Sequence, residues 1–235
     1  MTVLLEVRAL CAFYGASQVL HNLSLHVQNG EVVCLLGRNG SGRSTLLRAL
    51  MGLVDSHGEV LWRGQNRQGL RPHQRARQGL GYVPENREVF PTLTVEQNLL
   101  LGRKPGQPTG GRWSMDQLLT LFPRLKERLR TAAGFLSGGE QQMLTLCRTM
   151  MGDPDLVLVD EPTEGLAPAL VEQVAFFVTT VRDAGVAVLL VEQKLAIALE
   201  VSSRCLVMGQ GRIVFEGTPA QLRADSDTQK QWMGV

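Results

Sequence analysis

No apolar run in this sequence approaches the roughly 18 residues that a membrane-spanning helix needs. The longest, Val186 to Val191, is the length of a strand. Met1 to Leu10 carries Glu6 and Arg8 and lacks the apolar centre of a secretory signal, so the chain is expected to stay in the cytosol. Cysteine is scarce. Cys11, Cys34, Cys147 and Cys205 lie far apart without metal-ligand spacing and read as small buried hydrophobes. The four histidines (His21, His26, His57, His73) form no catalytic pattern. Charge of one sign is also lacking. With 24 basic and 22 acidic residues the net charge is +2, which does not fit a protein that wraps nucleic acid by bulk charge. The remainder, 235 residues of which 44% are hydrophobic, is the composition of a folded domain with a large core.

Short apolar runs at Leu4 to Val7, Leu23 to Val27 and Val32 to Leu36 predict strands, and Asn29-Gly30 predicts a hairpin between the last two. A glycine-rich loop and a helix from Ser44 to Met51 follow, then a strand over Gly58 to Trp62. Residues 63–77 hold five arginines and no acid; Arg67, Arg71 and Arg75 are four apart, and Pro72 suits a helix start. They read as a solvated helix face, with contact to a partner or to lipid head groups as the alternative. From Phe90 to Met151 strand patterns vanish. Pro105, Pro108 and the glycines near 110 predict a surface loop, and Leu118 to Leu129 and Glu140 to Met151 predict helices. Strand and helix then alternate. Leu156 to Val159 is a strand, and Leu170, Val174, Phe177, Val178 and Val181 line a helix ended by Gly185. Val186 to Val191 is a strand, and a hairpin closes around Gln210-Gly211. The pattern is an α/β layered domain with parallel strands.

Three stretches carry chemistry. Gly37-Arg38-Asn39-Gly40-Ser41-Gly42-Arg43-Ser44-Thr45 matches the phosphate-binding loop GxxxxGK[ST] at all but one position, between a strand and a helix. Its glycines let successive N–H groups converge on an anion, and Ser44 offers a hydroxyl to Mg²⁺. The departure is Arg43, where the loop carries lysine. A guanidinium is larger, planar and forked, so nucleotide binding is expected to survive and turnover to fall. Leu156 to Glu161 is an apolar strand ending in two carboxylates: Asp160 to hold Mg²⁺, Glu161 to orient or deprotonate an attacking water. Leu136-Ser137-Gly138-Gly139-Glu140-Gln141-Gln142 is a capped helix start, with Ser137 and Glu140 as a capping box and two glycines that let an anion approach.

LSGGEQQ between a phosphate loop and an Asp-Glu strand resembles the signature of ATP-binding cassette (ABC) ATPases, and the resemblance covers nearly the whole chain. It implies a P-loop NTPase core with an antiparallel β subdomain and an inserted helical subdomain: core over about 1–88 and 152–235, insert over about 89–151. It implies ATP and Mg²⁺ as ligands. Tyr14 then takes the place of the ring that stacks on adenine. Ser137, Gly138, Gly139 and Glu140 face the nucleotide of a second subunit, and Glu161-Pro162-Thr163-Glu164-Gly165-Leu166 covers the D-loop at the dimer interface. Glu85 stands where the family has its Q-loop glutamine, and Gln193 where it has its switch histidine. A carboxylate at 85 ligates Mg²⁺ but repels phosphate; an amide at 193 donates to phosphate but holds no positive charge.

Val83-Pro84-Glu85, Phe122 to Arg128, Gly139 to Leu144 and Val191-Glu192-Gln193 together look like the second ATPase subunit of bacterial branched-chain amino-acid importers, with the urea-importer subunit as a close cousin. That resemblance implies a second ABC ATPase subunit, two transmembrane permease subunits, a periplasmic solute-binding protein as indirect partner, no nucleic acid, and a peripheral place on the cytoplasmic face of the inner membrane. Arg43 and Gln193 motivate the competing expectation of a regulatory subunit that hardly hydrolyses ATP.

Overall fold

The computed structural model describes residues 2–104, 106 and 111–234. The first half runs β1 (Val3–Tyr14), β2 (Ser17–Gln28), β3 (Val32–Gly37), α1 (Arg43–Met51), β4 (Asp55–Trp62), β5 (Gln65–Asn66), α2 (Pro72–Arg77) and β6 (Leu80–Val83). Helices α3 (Val95–Leu101), α4 (Met115–Leu121), α5 (Pro123–Glu127) and α6 (Gly138–Met150) come next. The chain then returns to strands: β7 (Leu156–Asp160), α7 (Pro168–Asp183), β8 (Ala187–Val191), α8 (Leu195–Val201), β9 (Arg204–Gly209), β10 (Arg212–Gly217) and α9 (Pro219–Ala224).

Two sheets form. One is antiparallel, ordered β2-β1-β4-β5; the other is ordered β10-β9-β3-β8-β7-β6, parallel from β9 to β6. Strand β3 explains why the second sheet needs cover on both faces. Its side chains alternate with period two. Val33 and Leu35 pack with Leu46, Leu47 and Leu50 of α1 and with Leu4, Leu5 and Leu10 of β1, so α1 is sandwiched between the sheets. Val32, Cys34 and Leu36 enter the other core, with Val174 and Phe177 of α7 and with Leu99, Leu118 and Leu144 of the helical stretch. A strand covered on both faces reads as one continuous apolar run, and each fully buried leucine in it contributes about 1.5–3 kcal/mol. Phe122, at the joint of α4 and α5, meets Phe177 with ring centroids 5.7 Å apart, which ties the helical stretch to α7.

Several expectations need correction. Asn29-Gly30 does not turn a hairpin; β2 and β3 lie in different sheets, and the tight turn belongs to Gly15, where Tyr14 pairs with Ser17. The helix predicted over Leu118 to Leu129 is two, because Pro123 starts a new one after Phe122 leaves helical geometry at φ −132°. The arginine run is not a solvated helix face throughout. Arg75 is 4% exposed, and its guanidinium donates to the carbonyls of Ala49 (3.1 Å), Leu50 (2.6 Å) and Leu70 (3.0 Å). It closes the C-terminal end of α1, where helix carbonyls lack partners. Cys11 is half-buried, with its thiol on Asn22 Oδ1 at 3.2 Å. The loop predicted from Pro105 and Pro108 lies outside the described residues. Strand β6 and helix α8 carry too little pattern to have been read.

Beyond α9 the chain turns back toward β3. The Trp232 ring packs on Gly209, where no Cβ would fit. Arg38 donates its N–H to Trp232 O (3.1 Å) and its guanidinium to Lys230 O (2.9 Å).

Candidate functional site

The loop between β3 and α1 is shaped by two glycines. Gly37 has φ +148°, and a Cβ there would lie 2.5 Å from Met208 O; Gly42 has φ +103°, and a Cβ there would lie 2.9 Å from Leu20 Cδ2. Gly42 also occupies the N-cap of α1, so no side-chain oxygen caps that helix. Ser41 Oγ is buried and without a hydrogen-bond partner. Uncapped helix N–H groups beside an orphaned hydroxyl fit a phosphate group, whose oxygens accept from both. The loop walls a cavity of about 420 Å³, lined by Asn39, Gly40, Ser41, Gly42, Arg43, Ser44 and Thr45, and by Glu85, Glu161, Glu164 and Gln193.

Ser44 and Asp160 meet below this loop, Ser44 Oγ donating to Asp160 Oδ1 at 3.0 Å. Asp160 ends β7 and is 1% exposed. Burial pushes its carboxyl up to about 6, with the nearby Glu85 charge adding to the shift and the Ser44 hydrogen bond opposing it. No group of three or more His, Cys, Asp or Glu among the described residues forms a metal cage. Mg²⁺ does not require one: it keeps waters and takes one or two protein ligands together with substrate phosphates. Ser44 and Asp160, with Glu85 on the cavity wall, fit that role.

Glu161 follows at φ +45°, a left-handed conformation rare outside glycine. Both oxygens of its carboxylate are taken. Arg43 Nη2 donates to Oε1 at 2.8 Å, and Gln193 Nε2 donates to Oε2. Burial raises the Glu161 carboxyl, while Arg43 and Gln193 hold it down. Arg43 is 4% exposed, and its guanidinium also donates to Glu192 O (2.8 Å) and Asn39 Oδ1 (3.2 Å).

Glu192, named from sequence only as part of the Val191-Glu192-Gln193 run, organises this corner. It is buried, accepts from Thr163 Oγ1 (2.7 Å), and accepts from the backbone N–H of Gln193 (3.0 Å) and Lys194 (3.2 Å). That clamps the end of β8 to the turn after Glu161.

Asp160, Glu161, Glu85 and Gln193 thus gather around Asn39 to Thr45, while Gly37 and Arg38 stand just behind the cavity. Tyr14 lies apart at the β1–β2 turn, 43% exposed. Ser137, Gly138, Gly139 and Glu140 also lie apart. Ser137 Oγ accepts from Glu140 N (3.3 Å), and Glu140 Oε2 accepts from Ser137 N (2.8 Å) and pairs with Arg128 (3.1 Å). Gly139 has Leu170 of α7 against it, and Gly138 has the Arg87 guanidinium, whose Cζ would sit 3.1 Å from a Cβ. Arg87 was not singled out from sequence. It reaches Gly138 because Arg87 and Glu88 both take positive φ (64° and 45°), a bend no local pattern announces.

A phosphate loop, a strand end bearing Asp-Glu and a separately capped serine-glycine helix define a nucleotide-binding cassette. The chain belongs to the ABC transporter family, whose pattern matches residues 20–164, more than half its length. Members of this family bind ATP, generally with Mg²⁺, and generally hydrolyse it. It is 42% identical over 223 residues to the high-affinity branched-chain amino acid transport ATP-binding protein BraG of Pseudomonas aeruginosa, covering 94% of this chain and 96% of that one. It is 33% identical to the probable branched-chain amino acid transport ATP-binding protein LivF of Archaeoglobus fulgidus, covering 99% of each. To the lipopolysaccharide export system ATP-binding protein LptB of Haemophilus influenzae it is 32% identical, over 98% of this chain and 97% of that one. Among solved structures, an ATP-binding subunit of an ABC transporter superposes with a TM-score of 0.84 at 28% identity, covering 98% of this chain and 96% of that one.

Proposed function

We propose that this chain is the ATP-hydrolysing subunit of a bacterial importer of branched-chain amino acids. The observation that carries the reading is the cavity that joins the phosphate loop and Glu161, with Asp160 bonded to Ser44 of its wall, in a chain 42% identical to BraG. The loop N–H groups and Ser41 bind the phosphates. Ser44, Asp160 and Glu85 hold Mg²⁺, which offsets phosphate charge when bound. Glu161 accepts the proton of the attacking water, and Arg43 and Gln193 stand beside the transferring phosphoryl group. Catalysis is mainly positioning, so the rigid junction of β7, β8 and α1 matters as much as the charges.

Tyr14 stacks on adenine from its exposed turn. Ser137, Gly138 and Gly139 meet the phosphates of a second ABC ATPase subunit, so each site is completed across a dimer. The partners are that subunit, two transmembrane permease subunits and, indirectly, a periplasmic solute-binding protein. A groove of about 550 Å³ between the helical stretch and the core, lined by Leu53, Tyr82, Phe90, Leu101 and Arg148 among others, offers an apolar seat for the permease. No helix among the described residues is long and apolar enough to cross a membrane, and the chain attaches peripherally at the cytoplasmic face.

Two measurements test the reading. Glu161→Gln should keep ATP binding and stop turnover, so that the ATP-bound dimer accumulates on size-exclusion chromatography with ATP and Mg²⁺. Turnover near the parent rate removes Glu161 from its role. Deleting the gene should reduce uptake of leucine, isoleucine or valine at low concentration. Intact uptake of all three with loss of urea or amide uptake moves the chain to the cousin group, and a lipopolysaccharide export defect moves it to the LptB group.

A further inference from the structure

Two of the three departures from the family pattern converge on one carboxylate. Arg43, from the start of α1, and Gln193, from the end of β8, lie 150 positions apart and each occupy one oxygen of Glu161. Each oxygen of Glu161 accepts one of these donors and only 9% of its side chain is exposed, so the carboxylate is held toward Arg43 and Gln193. We propose that Arg43, Gln193 and Glu161 form a latch that holds the water-activating carboxylate closed until nucleotide binds. The latch rests on the reading that ATP occupies this cavity.

The opening follows from hydrogen-bond chemistry. Both groups on Glu161 are donors that a phosphate attracts, and a terminal phosphate carries more charge and more acceptor oxygens than a carboxylate. Arg43 need not leave its place to exchange partners. Nη1 stays anchored on Glu192 O, which the Thr163 contact steadies, while Nη2 swings from Glu161 to a phosphate oxygen. Gln193 turns its amide the same way. The exchange binds phosphate and frees Glu161 in one motion. A lysine has three donors on one nitrogen and spans two acceptors only where both lie around one point, whereas the two terminal nitrogens of arginine reach Glu192 O and Glu161 separately. Arg43 is thus a positioning residue for Glu161 before nucleotide binds and a phosphate ligand afterwards.

A double-mutant cycle in thermal unfolding tests this on the intact chain, with Arg43→Met, Glu161→Gln and the pair, measured without nucleotide and with AMP-PNP and Mg²⁺. Without nucleotide, breaking a buried ion pair should lower the midpoint by about 4 °C or more in at least one single variant, and the double should lose less than the sum. With AMP-PNP and Mg²⁺ that coupling should fall to within error of zero. If Arg43→Met does not fold or does not bind the analogue, the cycle is run with Gln193→Ala and Glu161→Gln, which reports the latch from its other side. Coupling that is absent without nucleotide, or unchanged by it, overturns the latch alone. A parent chain that neither ATP nor AMP-PNP with Mg²⁺ stabilises overturns the nucleotide reading and the latch with it.

Discussion

The two helix starts of the proposed site, α1 and α6, are built in opposite ways. At α1 the capping position is glycine, the first-turn N–H groups have no side-chain acceptor, and Ser41 Oγ is buried without a partner. At α6 the cap is complete: Ser137 and Glu140 satisfy one another, and Arg128 neutralises the glutamate. An open start has unmet hydrogen bonds that a ligand completes, so it binds on its own. A closed start gains less from a ligand and needs one brought to it already held. That is the division of labour the proposed shared site requires, in which α1 keeps the nucleotide and α6 of a second subunit arrives over it.

The largest expected effect comes from closing the open start. Gly42→Ser adds a Cβ against Leu20 at φ +103° and a capping hydroxyl where phosphate oxygens belong. Nucleotide affinity, followed by fluorescence of a labelled ATP, should fall by about 100-fold or more, roughly 2.7 kcal/mol. Next is the closed start. Ser137→Arg should leave the affinity of the isolated chain for ATP unchanged while abolishing ATPase of the assembled complex; loss of binding by the isolated chain would show that α6 is not a trans-acting element. Third is the far end of α1. Arg75→Met removes the donor to Ala49 O, Leu50 O and Leu70 O, of which Ala49 O keeps the Gly52 N–H, and should lower unfolding stability by about 2–3 kcal/mol in urea titration, with ATP affinity unaffected. The smallest change is Ser137→Ala, which removes one cap oxygen from α6. It should cost about 1 kcal/mol in the same titration, against no comparable loss for Ser41→Ala, whose hydroxyl has no hydrogen-bond partner.

The helix starts were legible because their information is local. Serine followed three residues on by glutamate, and glycines spaced ahead of a helix, keep their meaning wherever the chain goes. The same holds for the apolar alternation of β3 and β7. What sequence could not show was set by distant pairing. Asn29-Gly30 has hairpin chemistry, but sheet membership is decided by β1, which pairs with β2, and by β8 and β9, which pair with β3. The four residues of β6 include Gly81, and they form a strand only because β7 supplies a parallel partner. The destination of Arg43 depends on how the ends of β7 and β8 lie beside α1, which its residue type does not indicate. Arg75 carries the pattern of a surface charge, and only the fold brings the end of α1 to it.

The brace behind the phosphate loop has a consequence for synthesis. Arg38 is held by the carbonyls of Lys230 and Trp232, and the Lys230 partner lies 192 residues further along. At ribosomal rates of 5–20 residues per second, roughly 10–40 s separate the emergence of the loop from that of its support. During that interval the nascent chain carries the nucleotide-binding motif without the contact that steadies its second residue. A chain cut short before Lys230 would keep every motif that sequence comparison recognises and still lack part of the scaffold that holds the phosphates in register.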